Sequence, residues 1–231
     1  MNYIYQIYKE LLKTYGPQGW WPVTPRDRCG TSCSPVYGIP ITNDTQKFEI
    51  MVGAILTQNT SWKNVEKAIS ELNKKNLMSI PRLLKSTHEE LASAIRSSGY
   101  FNQKAQKLRL LAEFLTQHAI KELQQMDYQE SRKMLLQVKG IGPETADSIL
   151  LYALAKPIFV VDAYTRRIFS RVGYRAKTYA EYQVLFMKHL DQDSELFNEY
   201  HALLVELAKN ICRKKPVCTS CPIKSRCSQK I

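Results

Sequence analysis

The chain has 231 residues, 44% of them hydrophobic, and 33 Lys and Arg against 21 Asp and Glu give a formal net charge of +12. This composition excludes a fibrous or disordered chain, and no apolar run approaches the roughly 18 residues that a membrane span requires. The N-terminus lacks a secretory signal, so we expect a cytoplasmic protein without a membrane partner, nucleoid-associated if the source is prokaryotic. The positive excess favours a polyanion such as nucleic acid as partner, with mere solubility as the alternative.

Apolar spacing predicts an almost entirely helical chain. Periodicity, capping residues and Gly or Pro breaks predict helices at residues 2–15, 44–57, 61–73, 91–96, 102–118, 131–137, 143–155, 162–171, 178–190 and 194–210. Asp44 or Thr45 is the expected cap of the second helix, and Thr87 begins a capping-box pattern. The apolar run 158–161 is too short and too isolated to form a β-sheet. We therefore predict the all-α class.

Four of the six cysteines cluster near the C-terminus, at Cys212, Cys218, Cys221 and Cys227. The residues between them are polar and charged, which excludes four core cysteines. Soft thiolates suit either zinc or an iron–sulfur cluster. Zinc sites usually place their ligands in two close pairs, whereas only the middle pair is close here. The spacing therefore favours an iron–sulfur cluster, with zinc as the alternative.

The cysteine segment is also basic. Residues 201–231 hold seven Lys or Arg and one acid. Lys214 and Lys215 follow the first cysteine, and a metal-bound loop would present them to a phosphate backbone. The alternative is a purely structural metal with incidental charge. Cys29 and Cys33 form a separate pair without further ligands nearby, so we predict free thiols or a local disulfide rather than a second metal site.

A glycine-rich turn separates two predicted helices at Lys139-Gly140-Ile141-Gly142-Pro143. Gly140 and Gly142 allow a tight backbone, and Pro143 suits the first position of a helix. The backbone N–H groups of such a turn can bind an anion without side chains, which suits sequence-independent contact with phosphates. The alternative interpretation is an ordinary helix–helix turn.

This hairpin and the cysteine segment, in this order, resemble the endonuclease III (helix-hairpin-helix-Gly/Pro-Asp) superfamily of DNA glycosylases. Residues 160–162, Val-Val-Asp, resemble the Gly/Pro-Asp loop, which implies that Asp162 is the catalytic aspartate. An N-cap role for Asp162 is the alternative and is compatible with catalysis.

Two further segments carry the resemblance. Residues 56–60, Leu-Thr-Gln-Asn-Thr, resemble the family segment whose glutamine enters the DNA stack, which implicates Gln58 and its neighbour Asn59. Residues 99–105, Gly-Tyr-Phe-Asn-Gln-Lys-Ala, resemble the segment whose residue at the Tyr100 position wedges into the duplex.

The resemblance implies two helical domains. A six-helix barrel with the hairpin would span 45–156, and a discontinuous domain with a cysteine-bound [4Fe-4S] loop would join 1–44 to 157–231. The partner would be double-stranded DNA with a damaged base, flipped into the cleft between the domains. We expect a monomer.

One departure from the family indicates the type of chemistry. Bifunctional members carry a lysine after the hairpin, where this chain has Glu144. A carboxylate cannot form the Schiff base of a lyase, and Lys139 lies in the wrong part of the turn to substitute. We therefore predict a monofunctional glycosylase that uses water. A first-turn acid favoured by the helix dipole is the alternative role for Glu144.

Aromatic residues suggest the substrate. Trp20 and Trp21 in a Gly/Pro-rich segment, with Phe48, resemble the base pocket of the bacterial 3-methyladenine branch. That branch also has Glu at the position where bifunctional members carry the lysine. Stacked aromatics suit a flat cationic base such as 3-methyladenine, and core packing is the alternative. That bacterial type lacks the cysteines, so its base specificity does not transfer directly to this chain. A mismatch or oxidised-base glycosylase is a second hypothesis, since those branches can also lack the lysine. A non-catalytic DNA-binding protein with a structural metal is a third.

Overall fold

The computed structural model describes residues 3–25 and 34–228, and over these ranges the chain is all-α, as predicted. Strand-type pairing in these ranges consists of an isolated antiparallel bridge between Val23 and Val36. The helices are α1 Tyr3–Tyr15, α2 Asp44–Leu56, α3 Trp62–Lys74, α4 Ile80–Lys85, α5 His88–Ala94, α6 Phe101–Gln117, α7 Ile120–Gln125, α8 Tyr128–Gln137, α9 Pro143–Ser148, α10 Ala163–Val172, α11 Tyr179–His189 and α12 Ser194–Asn210. None of the helices described is both long and apolar enough to cross a membrane.

Side-chain caps fix where several helices begin. The N-cap of α2 is Asn43, whose extended backbone lets its Oδ1 accept a hydrogen bond from Gln46 N at 3.0 Å. The prediction of Asp44 or Thr45 at this position was wrong, because α2 begins at Asp44 and both residues lie in its first turn. The capping box predicted at Thr87 is confirmed, with both reciprocal hydrogen bonds present.

The chain divides into two compact units, Met1–Trp20 with Pro157–Ile231, and Trp21–Lys156. The predicted divisions were 44/45 and 156/157. The structure places the first one earlier, because residues directly after Trp20 pack within the second unit. There Thr24 donates to Glu49 Oε1 through both its backbone N–H and its hydroxyl, at 2.7 and 2.9 Å.

The unit Trp21–Lys156 is built around α2. This helix is buried from Phe48 to Leu56 and contacts α3, α6, α7 and α9. A Cβ on Gly53 would lie 2.9 Å from Cζ2 of Trp21, so the glycine allows the indole ring to approach the helix. The central helix thereby positions the residues that follow its C-terminus.

The unit Met1–Trp20 with Pro157–Ile231 has an aromatic core. The Phe159 and Phe186 rings stack at 3.7 Å between centroids, and Tyr200 packs edge-on against both. The Tyr200 hydroxyl donates to Ile4 O at 2.9 Å, which ties α1 to α12. The apolar run 158–161 is buried here without forming a strand, as expected from its isolation.

Candidate active-site and nucleic-acid-binding residues

Asp162 is the N-cap of α10. Its Oδ1 accepts a hydrogen bond from Thr165 N at 2.7 Å, which satisfies one of the free N–H groups of the first helical turn. The preceding segment is held in place because Val161 N–H donates to the Tyr179 hydroxyl at 3.3 Å. The N-cap role is therefore observed, and it fixes the direction of the carboxylate.

His201 of α12 lies beside this carboxylate. Its Nε2 is 3.8 Å from Asp162 Oδ2, and the ring is buried. Burial lowers the pKa of His201 from its usual value of 6.5, and the Asp162 charge opposes this shift only in part. The imidazole is therefore neutral near pH 7 and does not form an ion pair with Asp162. Sequence reasoning missed His201, since nothing in its local sequence distinguishes it from a core residue.

The hairpin forms the predicted tight turn between α8 and α9. Gly140 adopts a φ of 95°, a conformation that favours glycine, whereas Gly142 is extended at the N-cap of α9. Lys139 and both glycines are exposed, and Ile141 is buried beneath them. The turn thus presents backbone to solvent on an apolar anchor, as a phosphate-binding hairpin requires.

A partly buried ion pair connects the two helices of the hairpin. Arg132 of α8 donates from Nε to Asp147 Oδ1 at 2.6 Å and from Nη2 to Oδ2 at 3.1 Å, and the Asp147 side chain of α9 is 0% exposed. This bidentate contact sets the angle between the two helices. Neither residue was predicted, because their pairing becomes visible only once the helices are packed.

Gln58 and Asn59 follow directly after α2. The Gln58 amide lies on the hairpin, where its Nε2 donates to Gly140 O at 3.2 Å and to Thr145 Oγ1 at 2.9 Å. Asn59 is exposed and has a φ of 55°. The structure therefore brings the predicted stack-entering segment and the hairpin together within one unit.

Tyr100 stands out from the surface directly before α6. Its side chain is 67% exposed and its φ is 46°. A left-handed conformation is unfavourable for a large aromatic residue, and such strained residues cluster at functional sites. These features therefore agree with the predicted wedge. Its role in DNA stays a prediction.

Glu144 is exposed in the first turn of α9, where a negative charge complements the helix dipole. This position is compatible with both interpretations given above. Its meaning for the reaction stays a prediction.

The aromatic candidates fall into different environments. Trp21 is 5% exposed and packs against the rings of Trp62 and Tyr152, at 5.2 and 5.1 Å between centroids. Phe48 is 2% exposed within α2, and Trp20 is half-buried in the other unit. The burial of Trp21 and Phe48 is what core packing predicts, so their role in a base pocket stays a prediction.

The four C-terminal cysteines lie together. Cys212, Cys218, Cys221 and Cys227 are half-buried and line one cavity whose walls are otherwise mostly apolar. Burial raises the pKa of the Cys221 thiol, and the other three cysteines add to this effect. In the ranges 3–25 and 34–228, no three His, Cys, Asp or Glu side chains form a group that could hold a single metal ion. Cys29 and Cys33 lie outside the described residues.

Arginines of α10 hold this cysteine loop through its backbone. Arg167 Nε donates to Cys212 O at 2.8 Å, and Arg171 donates to Arg213 O and Lys214 O at 2.7 and 3.0 Å. Lys214 is exposed, as is Lys215. The two predicted phosphate ligands therefore project from a loop that is anchored on the helix capped by Asp162.

Comparison with known proteins identifies the family. Residues 52–191 match the model described as "HhH-GPD superfamily base excision DNA repair protein". The chain belongs to this superfamily. The HhH-GPD chain is 44% identical over 98% of its length to the "putative DNA repair glycosylase MJ1434" of Methanocaldococcus jannaschii, covering 96% of that relative. It is 28% identical over 80% of its length to endonuclease III of Thermotoga maritima, covering 84% of it.

Solved structures agree with this assignment of the HhH-GPD chain. The 3-methyladenine DNA glycosylase MagIII of Helicobacter pylori, bound to 1,N6-ethenoadenine, matches with a TM-score of 0.70 and 29% identity over 89% of this chain and 97% of that one. A trapped endonuclease III–DNA covalent intermediate matches with a TM-score of 0.73 and 21% identity over 98% and 96%. The resemblance and the all-α fold predicted from the sequence are confirmed, and the protein is a DNA glycosylase of base excision repair.

Proposed function

We propose that this glycosylase is monofunctional and hydrolyses the N-glycosidic bond of a flipped alkylpurine, such as 3-methyladenine, in double-stranded DNA. The observation that carries the proposal is Glu144 in the first turn of α9, where bifunctional relatives have the Schiff-base lysine. Without an amine at this position, water is the nucleophile that captures the sugar.

Asp162 supplies the charge for this reaction. The C1′–N bond breaks with its electron pair going to the base, and a 3-methylated purine already carries positive charge, so it leaves as a neutral molecule. The Asp162 carboxylate, oriented by Thr165 N–H, stabilises the positive charge that develops on the sugar. A water oxygen then bonds to C1′, and its proton passes to the carboxylate or to solvent.

An aromatic site suits a cationic base because a ring face attracts positive charge. Trp20, Trp21 and Phe48 are the residues proposed to form it. The similarity to MagIII, whose structure holds 1,N6-ethenoadenine, supports an alkylated or etheno purine as the substrate. The cysteine loop and the similarity to endonuclease III support the second candidate, a mismatch or oxidised-base glycosylase.

We propose that Cys212, Cys218, Cys221 and Cys227 hold a [4Fe-4S] cluster. The zinc alternative has less support, because no three His, Cys, Asp or Glu side chains in the described ranges form a group for a single ion. The fit rests on the donor set, because four soft thiols line one cavity with apolar walls. When bound, the cluster would hold the loop rigid. The residues that act on DNA are then the exposed Lys214 and Lys215 beside it.

A panel of duplexes tests the proposed reaction. Substrates with 3-methyladenine, 1,N6-ethenoadenine, a G·T mismatch, uracil, thymine glycol or 8-oxoguanine are incubated with the protein, and products are separated with and without alkaline treatment. We expect free alkylpurine and an abasic site, with strand cleavage only after alkali. Borohydride trapping of a covalent protein–DNA adduct would overturn the monofunctional assignment, and release of only mismatched or oxidised bases would establish the second candidate.

The exposed lysines of the cysteine loop lead to a prediction about salt. Lys214→Ala with Lys215→Ala should reduce the slope of log Kd against log salt by about 1.8, because each lost phosphate contact contributes about 0.9. Base preference should not change. Fluorescence anisotropy with an intact duplex over a salt series measures the slope.

The matched control is Lys177→Ala with Lys188→Ala, two exposed lysines of the same unit and outside this loop. An equal slope in both double variants would show that the charge of the loop serves solubility and not phosphate binding.

A further inference from the structure

A lysine of α6 lies inside the unit Trp21–Lys156. Lys104 is only 2% exposed, and its Nζ donates to Leu56 O at 2.8 Å and to Ser98 O at 2.7 Å. A buried ammonium group is costly unless it is hydrogen-bonded, so these two carbonyls are what keeps it in place. An amine committed in this way cannot serve as a ligand for a DNA phosphate.

The two carbonyls belong to helix ends. Leu56 is the last residue of α2, and Ser98 is the last residue of the 3₁₀ helix Arg96–Ser98. Carbonyls at a C-terminus lack intrahelical partners and carry the negative end of the helix dipole, which favours a cation. Burial, with a smaller contribution from Lys107, lowers the pKa of Lys104 to about 8, so the amine stays largely charged near neutral pH.

Each of these helix ends leads into a segment with a predicted DNA contact. Asn59 comes soon after Leu56, and Tyr100 soon after Ser98, with φ values of 55° and 46°. A left-handed backbone costs about 1–2 kcal/mol in a residue other than glycine and persists only where its surroundings hold it. The Lys104 amine is a single group that holds both strained segments.

Lys107, one turn further along α6, extends the connection to the hairpin. Its Nζ donates to Gln58 Oε1 at 2.6 Å, and the Gln58 amide in turn donates to Gly140 O and to Thr145. A Cβ on Gly140 would lie 2.7 Å from Lys107 Cγ, so the lysine stem lies directly against the hairpin backbone. One helix therefore contacts all three segments.

We propose that Lys104 and Lys107 are positioning residues that fix the placement of the Gln58-Asn59 segment, Tyr100 and the hairpin relative to one another for base extrusion. We refer to the two side chains as the lysine bracket. The proposal rests on the proposed function, because it assumes that these segments act on DNA. Pre-positioned segments insert without a separate ordering cost for each one.

The lysine bracket and direct phosphate binding predict different effects of a lysine substitution on DNA affinity. Removing either ammonium should leave affinity for an intact duplex and its salt slope unchanged, since no phosphate contact is lost. Affinity for DNA with an extruded nucleotide should fall about tenfold for Lys104→Met, which loses two charged hydrogen bonds. The preference for the extruded state, and not DNA binding in general, is the quantity that changes.

The experiment compares Lys104→Met and Lys107→Met with Lys121→Met, an exposed lysine of α7 in the same unit. Methionine keeps the apolar stem and removes the charge. Duplexes with a tetrahydrofuran abasic analogue beside 2-aminopurine report both affinity and extrusion. We expect reduced preference and reduced fluorescence increase in the two bracket variants only. A parallel loss of affinity for intact duplex, with a smaller salt slope, would overturn the proposal.

If Lys104→Met folds poorly, hydrogen exchange of the DNA-free Lys107→Met protein provides a second test of the proposal. Lys107→Met should speed exchange at 57–60 and 139–142, and Gln58→Ala combined with it should add little, because both changes remove the same connection. Unchanged exchange, or fully additive effects, would overturn the bracket. A wild-type protein that releases no base would refute the proposed function, while these measurements would still decide the bracket.

Discussion

Asp162→Asn should lower the rate of base release by at least about 100-fold, because it removes the charge that stabilises the sugar cation. Asparagine is as good an N-cap as aspartate, and its side-chain oxygen can accept the same hydrogen bond from Thr165 N–H. The fold and the affinity for DNA should therefore be retained. Single-turnover kinetics on the preferred damaged duplex, together with thermal unfolding, would measure the two effects separately.

Asp193→Asn is the matched control. Asp193 caps α12 as Asp162 caps α10, accepting a hydrogen bond from Glu195 N at 2.7 Å. The same chemical change at this second cap should leave the rate of base release unchanged. If Asp162→Asn also released base at the wild-type rate, Asp162 would have no catalytic role.

Cys221→Ala should abolish the visible absorption expected at about 400 nm for an iron–sulfur cluster. Because the binding free energy of a structural metal group is also folding free energy, its loss should lower Tm by about 10 °C or more. Lys214 and Lys215 would then lose their rigid support, and affinity for intact duplex should fall. Absorption spectra, iron and sulfide analysis and calorimetry on protein purified without oxygen would measure these changes.

Ser220→Ala serves as the control at the neighbouring exposed position, where the hydroxyl donates a long hydrogen bond to Val217 O at 3.4 Å. It should keep both the colour and the Tm of the wild type. A colourless wild-type protein with one zinc per chain would establish the zinc alternative. A Cys221→Ala protein with an unchanged spectrum would show that this residue is not a ligand.

The long helices could be predicted because their signals are local. Apolar periodicity and caps located α1 and α12 to within a residue or so. Two six-residue helices, α4 and α7, were missed. Each has fewer than two helical turns and only one or two buried residues, which is too short to show a helical periodicity of apolar residues. The α-helix predicted over 143–155 instead ends at Ser148, and the chain continues as a π-helical turn over Ile149–Ala153. The sequence of this turn is uniformly apolar and does not distinguish a π-helix from an α-helix.

The candidate site divides in the same way. Asp162, the hairpin and Tyr100 lie in short motifs whose residues are neighbours in the chain, so their local geometry followed from sequence. His201, the Arg132–Asp147 pair and the bracket lysines depend on packing between distant segments. The hydrogen bond from Gln58 to Gly140 illustrates the difference, because its partners lie in separate motifs that each look complete without the other.

The helix α10 has Asp162 at one end and, at the other, Arg171, which binds the backbone of the cysteine loop. Ten residues of α-helix rise about 15 Å, and phosphates along one DNA strand recur about every 3.4 Å of helix axis. If the loop grips the backbone, the gripped phosphates lie within about four base pairs of the extruded nucleotide. In that case the length of α10 would set the shortest distance from a duplex end at which a lesion can be processed.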